Sequence, residues 1–307
     1  MKRAVSLVPS ATDIVVALGA SDSLVGISAD CDQPDSSRPR PVVTRTLIDP
    51  AMASGDPAGV DALVHEQIAA GGLLYSLDVE QVVALSPDVV FAQDECAVCA
   101  LPSSEVIVAL AARGVDCEVA SLDPVDLDGV LATFSSVGRS LGLDATGEAL
   151  EASCRARLRA LAQAPDGRPR PRVAVLDWVD PLYLAGNWVP DLVRAAGGQP
   201  VLSSAGGRSR ETTLEELAGS DPDLIVIAPC GLDLAAAVAA GRRFRQLAMA
   251  WSGLRSARLV AFDGRVWFSR PGPQLVVGAE ALAAWLAGVT PTGNVGTSAI
   301  LEADDDG

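Results

Sequence analysis

Leu77–Cys96, LDVEQVVALSPDVVFAQDEC, aligns without a gap on Thr212–Gly231, TTLEELAGSDPDLIVIAPCG. Glu80, Pro87 and Asp88 fall on Glu215, Pro222 and Asp223. Each copy reads as a short amphipathic helix, a Pro-Asp turn and a buried strand, with Val89, Val90 and Phe91 in one and Leu224, Ile225 and Val226 in the other. A repeat of a helix–turn–strand unit implies two similar α/β halves, because neither copy can bury its apolar face alone.

The surroundings extend the symmetry. Ala4–Val8 is an apolar strand followed by a capped helix ending at Gly19; Val173–Leu176 is another, its helix (Val189–Ala196) ending at Gly197 and Gly198. Leu24–Ile27, Cys117–Ala120 and Leu259–Phe262 alternate with helical patterns, as parallel sheets require. The expected fold is therefore α/β, two doubly wound parallel-sheet lobes. Between them Val125–Ala162 carries apolar residues at helical spacing, and reads as one long bridging helix or two consecutive ones, with Gly138 and Gly142 as weak points. The boundaries read as an N-terminal lobe over 1–123, bridging helix and linker over 124–170, a C-terminal lobe over 171–289, and a disordered acidic tail over 290–307.

At 307 residues the chain is large enough for two cores. Its net charge of −16 repels a phosphate backbone, so nucleic acid is not an expected partner. No apolar run approaches the roughly 20 residues that span a bilayer, so no membrane insertion is expected. Pro9, Ser10, Thr12 and Asp13 interrupt the apolar N-terminus, which reads as a strand, loop and helix instead of a secretory signal. On that reading the protein is expected to be cytoplasmic, with its six cysteines reduced or metal-bound.

In open parallel sheets, ligands bind outside the carboxyl ends of the strands. Cys31, Cys96, Cys99 and Cys230 all follow strands there, and as thiolates would suit zinc or an iron–sulfur cluster. Packing and a redox pair are the alternatives. Cys117 and Cys154 read as packing residues. Trp178, Tyr183, Trp188, Trp267 and Phe268 cluster in the second lobe's strand-end loops, where flat side chains suit a macrocycle or simply cap the core. Thr44 and Arg45 follow another strand end. The single histidine, His65, lies in a helical stretch, and neither a Ser-His-Asp set around it nor a phosphate loop is present, so a binding role is favoured over an enzyme.

SLVPSATDIVVALGA, LVGISADCDQP and WFSRPGP, in this order, resemble the substrate-binding proteins of ABC transporters whose lobes share one long helix, particularly the cobalamin-binding branch. The resemblance implies a small-molecule metal chelate, cobalamin or a relative, held between the lobes and passed to an ABC transporter permease. It implies that Trp267 and Arg270 lie in a ligand-contacting segment, with Tyr183 at another aromatic contact position, and that Glu80 and Glu215 dock on the permease. Dipole complementarity at a helix start accounts for such glutamates equally well. The rival reading is a cytoplasmic metalloprotein using the four thiols.

Overall fold

The computed structural model describes residues 1–47, 57–70, 72–94, 101–161, 169–289 and 298–300. The chain divides into two compact units: Met1–Pro124 with Gly129–Ser153, and Val125–Asp128 with Cys154–Gly307.

The first unit opens with β1 (Ala4–Ser6), α1 (Pro9–Ala17), β2 (Leu24–Ile27), β3 (Thr44–Thr46), α2 (Pro57–Ala69) and β4 (Tyr75–Leu77). It continues with α3 (Val79–Leu85), β5 (Val89–Ala92), α4 (Ser103–Ala111) and β6 (Glu118–Ser121). Its main sheet is parallel throughout, in the order β2-β1-β5-β6. Because β5 is central and covered on both faces, all four of its residues are buried, which is why it reads as a continuous apolar run. Val5, Val90, Val82, Val106 and Leu110 share its core. The small antiparallel pair β3–β4 forms a separate ladder, and the residues entering β3 bridge to the end of β2 at Ile27 and Val42.

The segment between the halves is two helices, α5 (Leu127–Leu141) and α6 (Asp144–Leu161), not one long one. The chain turns at Gly142, whose φ of 74° a side chain would strain. The helices close on each other through glycine: a Cβ on Gly147 would stand 2.9 Å from the Phe134 carbonyl oxygen, and one on Gly138 would stand 2.9 Å from the Gly147 Cα.

The second unit holds β7 (Arg172–Val179), β8 (Leu182–Leu184), α7 (Val189–Ala195), β9 (Gln199–Pro200), β10 (Arg210–Glu211), α8 (Leu214–Gly219) and β11 (Leu224–Ile227). Then come α9 (Leu234–Ala248), α10 (Ser252–Arg255), β12 (Arg258–Phe262), α11 (Gly264–Trp267), α12 (Gln274–Leu286) and β13 (Ser298–Ile300). β7, β11 and β12 run parallel at the centre, but β8, β10 and β13 pair antiparallel, so this sheet is mixed where an all-parallel one was expected. For β8 the cause is the hairpin from β7, since a short connection can only reverse the chain. β13, in the stretch read as a disordered tail, pairs with β12 with Val260 opposite Ile300. Ala237, Ala240, Phe244 and Ala248 form the buried stripe of α9 against this sheet, at the three- and four-residue spacing of one helix face.

The repeat is structural. α3 and α8 are capped at equivalent positions, Asp78 accepting from the Gln81 amide and Thr213 from the Glu216 amide. The Pro-Asp turns follow left-handed residues at matching places, Ser86 (φ 47°) and Asp221 (φ 44°), and β5 and β11 coincide residue for residue.

Candidate functional site

The carboxyl ends of β7, β11 and β12 carry most of the side chains with chemistry in the second unit. The loops after them lie side by side: the Cys230 amide donates to the Asp177 carbonyl at 2.9 Å, and the Arg265 amide to the Leu232 carbonyl at 3.2 Å. Trp178 and Tyr183 stand opposite each other on β7 and β8 and are both half-buried, so two aromatic rings share one sheet face at this end. The Trp178 indole donates to the Asp180 carbonyl at 3.1 Å. Trp267, on α11, is also half-buried.

The other two aromatics of the expected set belong to the core. Trp188 is 6% exposed and its indole donates to the Phe268 carbonyl at 2.8 Å; Phe268 is 3% exposed and packs edge-on against Phe262 with centroids 5.2 Å apart. Arg270 is buried as well. The Trp188–Phe268 bond ties the residue that follows α11 to the start of α7.

Asp177 was not singled out in the sequence, although a lone carboxylate within the apolar strand RVAVLDWV is a signal. Its Oδ2 accepts from the Ser209 hydroxyl, whose oxygen in turn accepts from the Gly186 amide at 3.2 Å, while its Oδ1 is sealed without a partner. Burial pushes this carboxyl up to about 6, against the lowering effect of the Ser209 hydrogen bond.

In the first unit, Thr44 is buried, and its hydroxyl accepts from the Ala29 amide at 2.9 Å, so it pins the loop after β2. Arg45 next to it is exposed. Cys31 receives the Thr12 hydroxyl at 3.1 Å, and the Ser28 hydroxyl lies 3.2 Å from its sulfur. Cys230 is exposed in the second unit, and Cys96 and Cys99 lie outside the described residues. Among the described residues no three His, Cys, Asp or Glu side chains are grouped as metal ligands. Cys154 is buried and Cys117 half-buried, and burial pushes both thiols up. A further network joins the ends of β5 and β6: Asp94 accepts from the Ser103 amide at 2.6 Å and from its hydroxyl, and the Ser121 hydroxyl reaches Asp123 at 2.5 Å. The Ser103 hydroxyl is the main cause holding the Asp94 carboxyl below its ordinary range.

Glu80 and Glu215 occupy the first turns of α3 and α8 and are both exposed. Glu80 forms an ion pair with Arg113. Beside Glu215, Glu216 accepts from the Arg210 guanidinium at 2.6 and 3.1 Å.

A model of the periplasmic binding protein family matches residues 5–247. The chain belongs to that family. It is 25% identical over 229 residues to a cobalamin-binding protein of Halobacterium salinarum, covering 73% of this chain and 53% of the relative. The chain thus spans about half the length of the curated relatives it matches. Among solved structures, the periplasmic vitamin B12 binding protein of Vibrio cholerae superposes with a TM-score of 0.65 at 18% identity, covering 93% of this chain and 96% of that one. A periplasmic heme binding protein from Pseudomonas aeruginosa gives 0.64 at 25% identity, covering 98% of each chain.

Family membership overturns the cytoplasmic expectation, since these are periplasmic binding proteins. The residues behind that expectation form β1 and α1, so they report on the fold and carry no information about export. Neither the family nor these neighbours supports the iron–sulfur or zinc alternative. No helix among the described residues is long and apolar enough to cross a membrane.

Proposed function

We propose that this chain captures a cobalamin-like metal chelate and delivers it to an ABC permease, without chemical turnover. Family membership supports a binding role, and the curated relatives are named for cobalamin. The observation that carries the choice of a flat ligand is the Trp178–Tyr183 pair, two half-buried rings held opposite each other at the carboxyl end of β7. Rigid aromatic faces bind a macrocycle's apolar faces with little loss of side-chain entropy. Trp267, half-buried on α11 after β12, is a third aromatic candidate of this reading.

Glu80 and Glu215 are the docking points of this reading. They occupy equivalent positions of the repeat, and each presents a carboxylate at a helix start. Titration of the purified chain with cyanocobalamin and with haemin, followed by tryptophan fluorescence, tests the assignment. Saturable quenching by cyanocobalamin, reduced at least tenfold in affinity by Trp178→Ala, is the expected result. Failure to bind either chelate would overturn it.

A further inference from the structure

Asp180, in the turn of the β7–β8 hairpin, is held through both its backbone and its side chain. Its carbonyl accepts from the Trp178 indole at 3.1 Å, and its carboxylate Oδ2 accepts from Arg243 Nη2 at 2.5 Å. Arg243 is 63 residues away in the chain, on α9. That helix is firmly seated: Asp233 caps its start, and Ala237, Ala240, Phe244 and Ala248 pack its buried face on the sheet. Arg243 directly precedes Phe244, which is 1% exposed, so the guanidinium reaches the turn from a backbone that the core holds in place.

The two bonds act in series on the aromatic face. An indole has a single donor and no acceptor. In Trp178 that donor is engaged by the turn two residues on, which fixes the ring's orientation and leaves its faces for contact. The direction of the acceptor follows from the backbone of Asp180, and the Arg243 bond restrains that residue from outside the hairpin. The strands themselves are anchored by Val179 and Leu184, both buried on the face opposite Trp178 and Tyr183. The Asp180–Arg243 pair is exposed, and such pairs stabilise a fold only slightly. Its effect is therefore on the indole and not on whether the hairpin forms. We propose that Arg243 is a positioning residue of the binding site: through Asp180 it holds the Trp178 indole in the orientation that a flat ligand meets. This rests on the chelate reading above and extends it to α9.

The test uses the full chain, with cyanocobalamin and haemin as probes, and reads the Trp178 indole N–H directly. Its peak in a proton–nitrogen correlation spectrum is assigned by its loss from Trp178→Phe. Arg243→Met is expected to shift that peak and speed its exchange with solvent. The same variant should weaken the chelate that the native chain binds about threefold while lowering the melting temperature by no more than about 2 °C. Arg243→Lys, which keeps the charge, should recover most of the affinity and of the native peak position. Asp180→Ala should match Arg243→Met, and the double variant should bind no more weakly than either single one, because the two residues act through one bond. Arg157→Met breaks the Arg157–Glu280 pair between α6 and α12, of similar exposure, and should move neither the peak nor the affinity.

Native-like affinity in Arg243→Met would overturn the proposal and leave the chelate reading intact. So would weaker binding with an unmoved Trp178 peak, since Arg243 would then act by another route. A melting temperature that falls in step with affinity, or an equal response to Arg157→Met, would mark a general structural role and overturn it too. If the native chain binds neither chelate, the chelate reading fails and this proposal with it.

Discussion

The Arg172 amide donates to Asp223 Oδ2 at 2.7 Å, and the Arg172 guanidinium caps the Ser220 and Asp221 carbonyls, its Nη2 reaching Ser220 at 2.6 Å. The same arrangement recurs in the first unit. The Arg3 amide donates to Asp88 Oδ2 at 2.6 Å, and its guanidinium reaches the Leu85 and Ser86 carbonyls. Asp88 and Asp223 are the repeated aspartates, so the duplication extends to an arginine at the start of each half, Arg3 just before β1 and Arg172 opening β7, which the aligned segments do not contain.

This latch ties the start of β1 or β7 to the end of the repeated helix, α3 or α8, satisfying carbonyls that a helix terminus leaves open. Asp223→Ala and Arg172→Ala are each expected to destabilise the second unit by about 1–2 kcal/mol. Urea denaturation measures this, with near-additive single mutants arguing against the latch, because residues in one network couple.

Asp177 makes stability depend on pH with a definite sign. Its folded value of about 6 lies above the ordinary 3.8, so the folded state holds a proton that the unfolded chain releases. Its contribution is most favourable below about pH 4 and is lost as pH rises through 6, a difference of up to about 3 kcal/mol. Asp177→Asn should therefore flatten this part of the profile and raise the unfolding midpoint at pH 7.5 more than at pH 4.5. Equal shifts at both pH values would contradict a buried, titrating carboxyl.

Two classes of aromatic residue should separate cleanly. Trp188→Leu removes the indole that bonds the Phe268 carbonyl from a nearly closed site, and is expected to cost about 2–4 kcal/mol in denaturation. Tyr183→Ala, on the half-open face, should lower chelate affinity with a smaller loss of stability. Calorimetric titration beside thermal melts distinguishes the two, and the reverse pattern would move the ligand face away from the β7–β8 hairpin.

Gly147→Val is expected to lower stability by more than 2 kcal/mol, since a Cβ there meets the Phe134 carbonyl and the Gly138 backbone within about 3 Å, and backbone cannot step aside. Retention of the native melting temperature would show that α5 and α6 are not held together at this point.

Charge reversal of Glu80 and Glu215 together should leave the chelate dissociation constant unchanged and abolish ligand-dependent stimulation of the cognate permease's ATPase in proteoliposomes. Loss of the Glu80–Arg113 pair itself should cost no more than about 1 kcal/mol, as exposed ion pairs contribute little. Full stimulation by the double variant would remove these residues from the docking surface.

Much of the fold was legible because it rests on local patterns. The helix, Pro-Asp turn and strand of each repeat are set by periodicity, capping residues and turn chemistry within about 20 residues, and the structure keeps them in register from Asp78 and Thr213 to Ala92 and Ile227. The antiparallel β8, β10 and β13 were missed because two- and three-residue strands carry almost no periodic signal. The break between α5 and α6 was visible as Gly138 and Gly142, but whether a helix tolerates a glycine or ends at it depends on what packs against it.

The sequence by itself determined that this protein is a duplicated α/β chain with aromatic residues and thiols close to its expected strand ends, since that depends only on residue order, whereas the strand-end loop expected for Trp178 and Tyr183 is the paired strands β7 and β8. Tertiary structure alone decided which of these side chains stay accessible. Trp178 and Trp188 are ten residues apart with the same chemistry, yet one remains half-open beside Tyr183 and the other closes onto the Phe268 carbonyl. Burial is fixed by residues distant in the chain. The same holds for Asp177: its apolar neighbours mark it in the sequence, but its raised proton affinity comes from the burial that desolvates it.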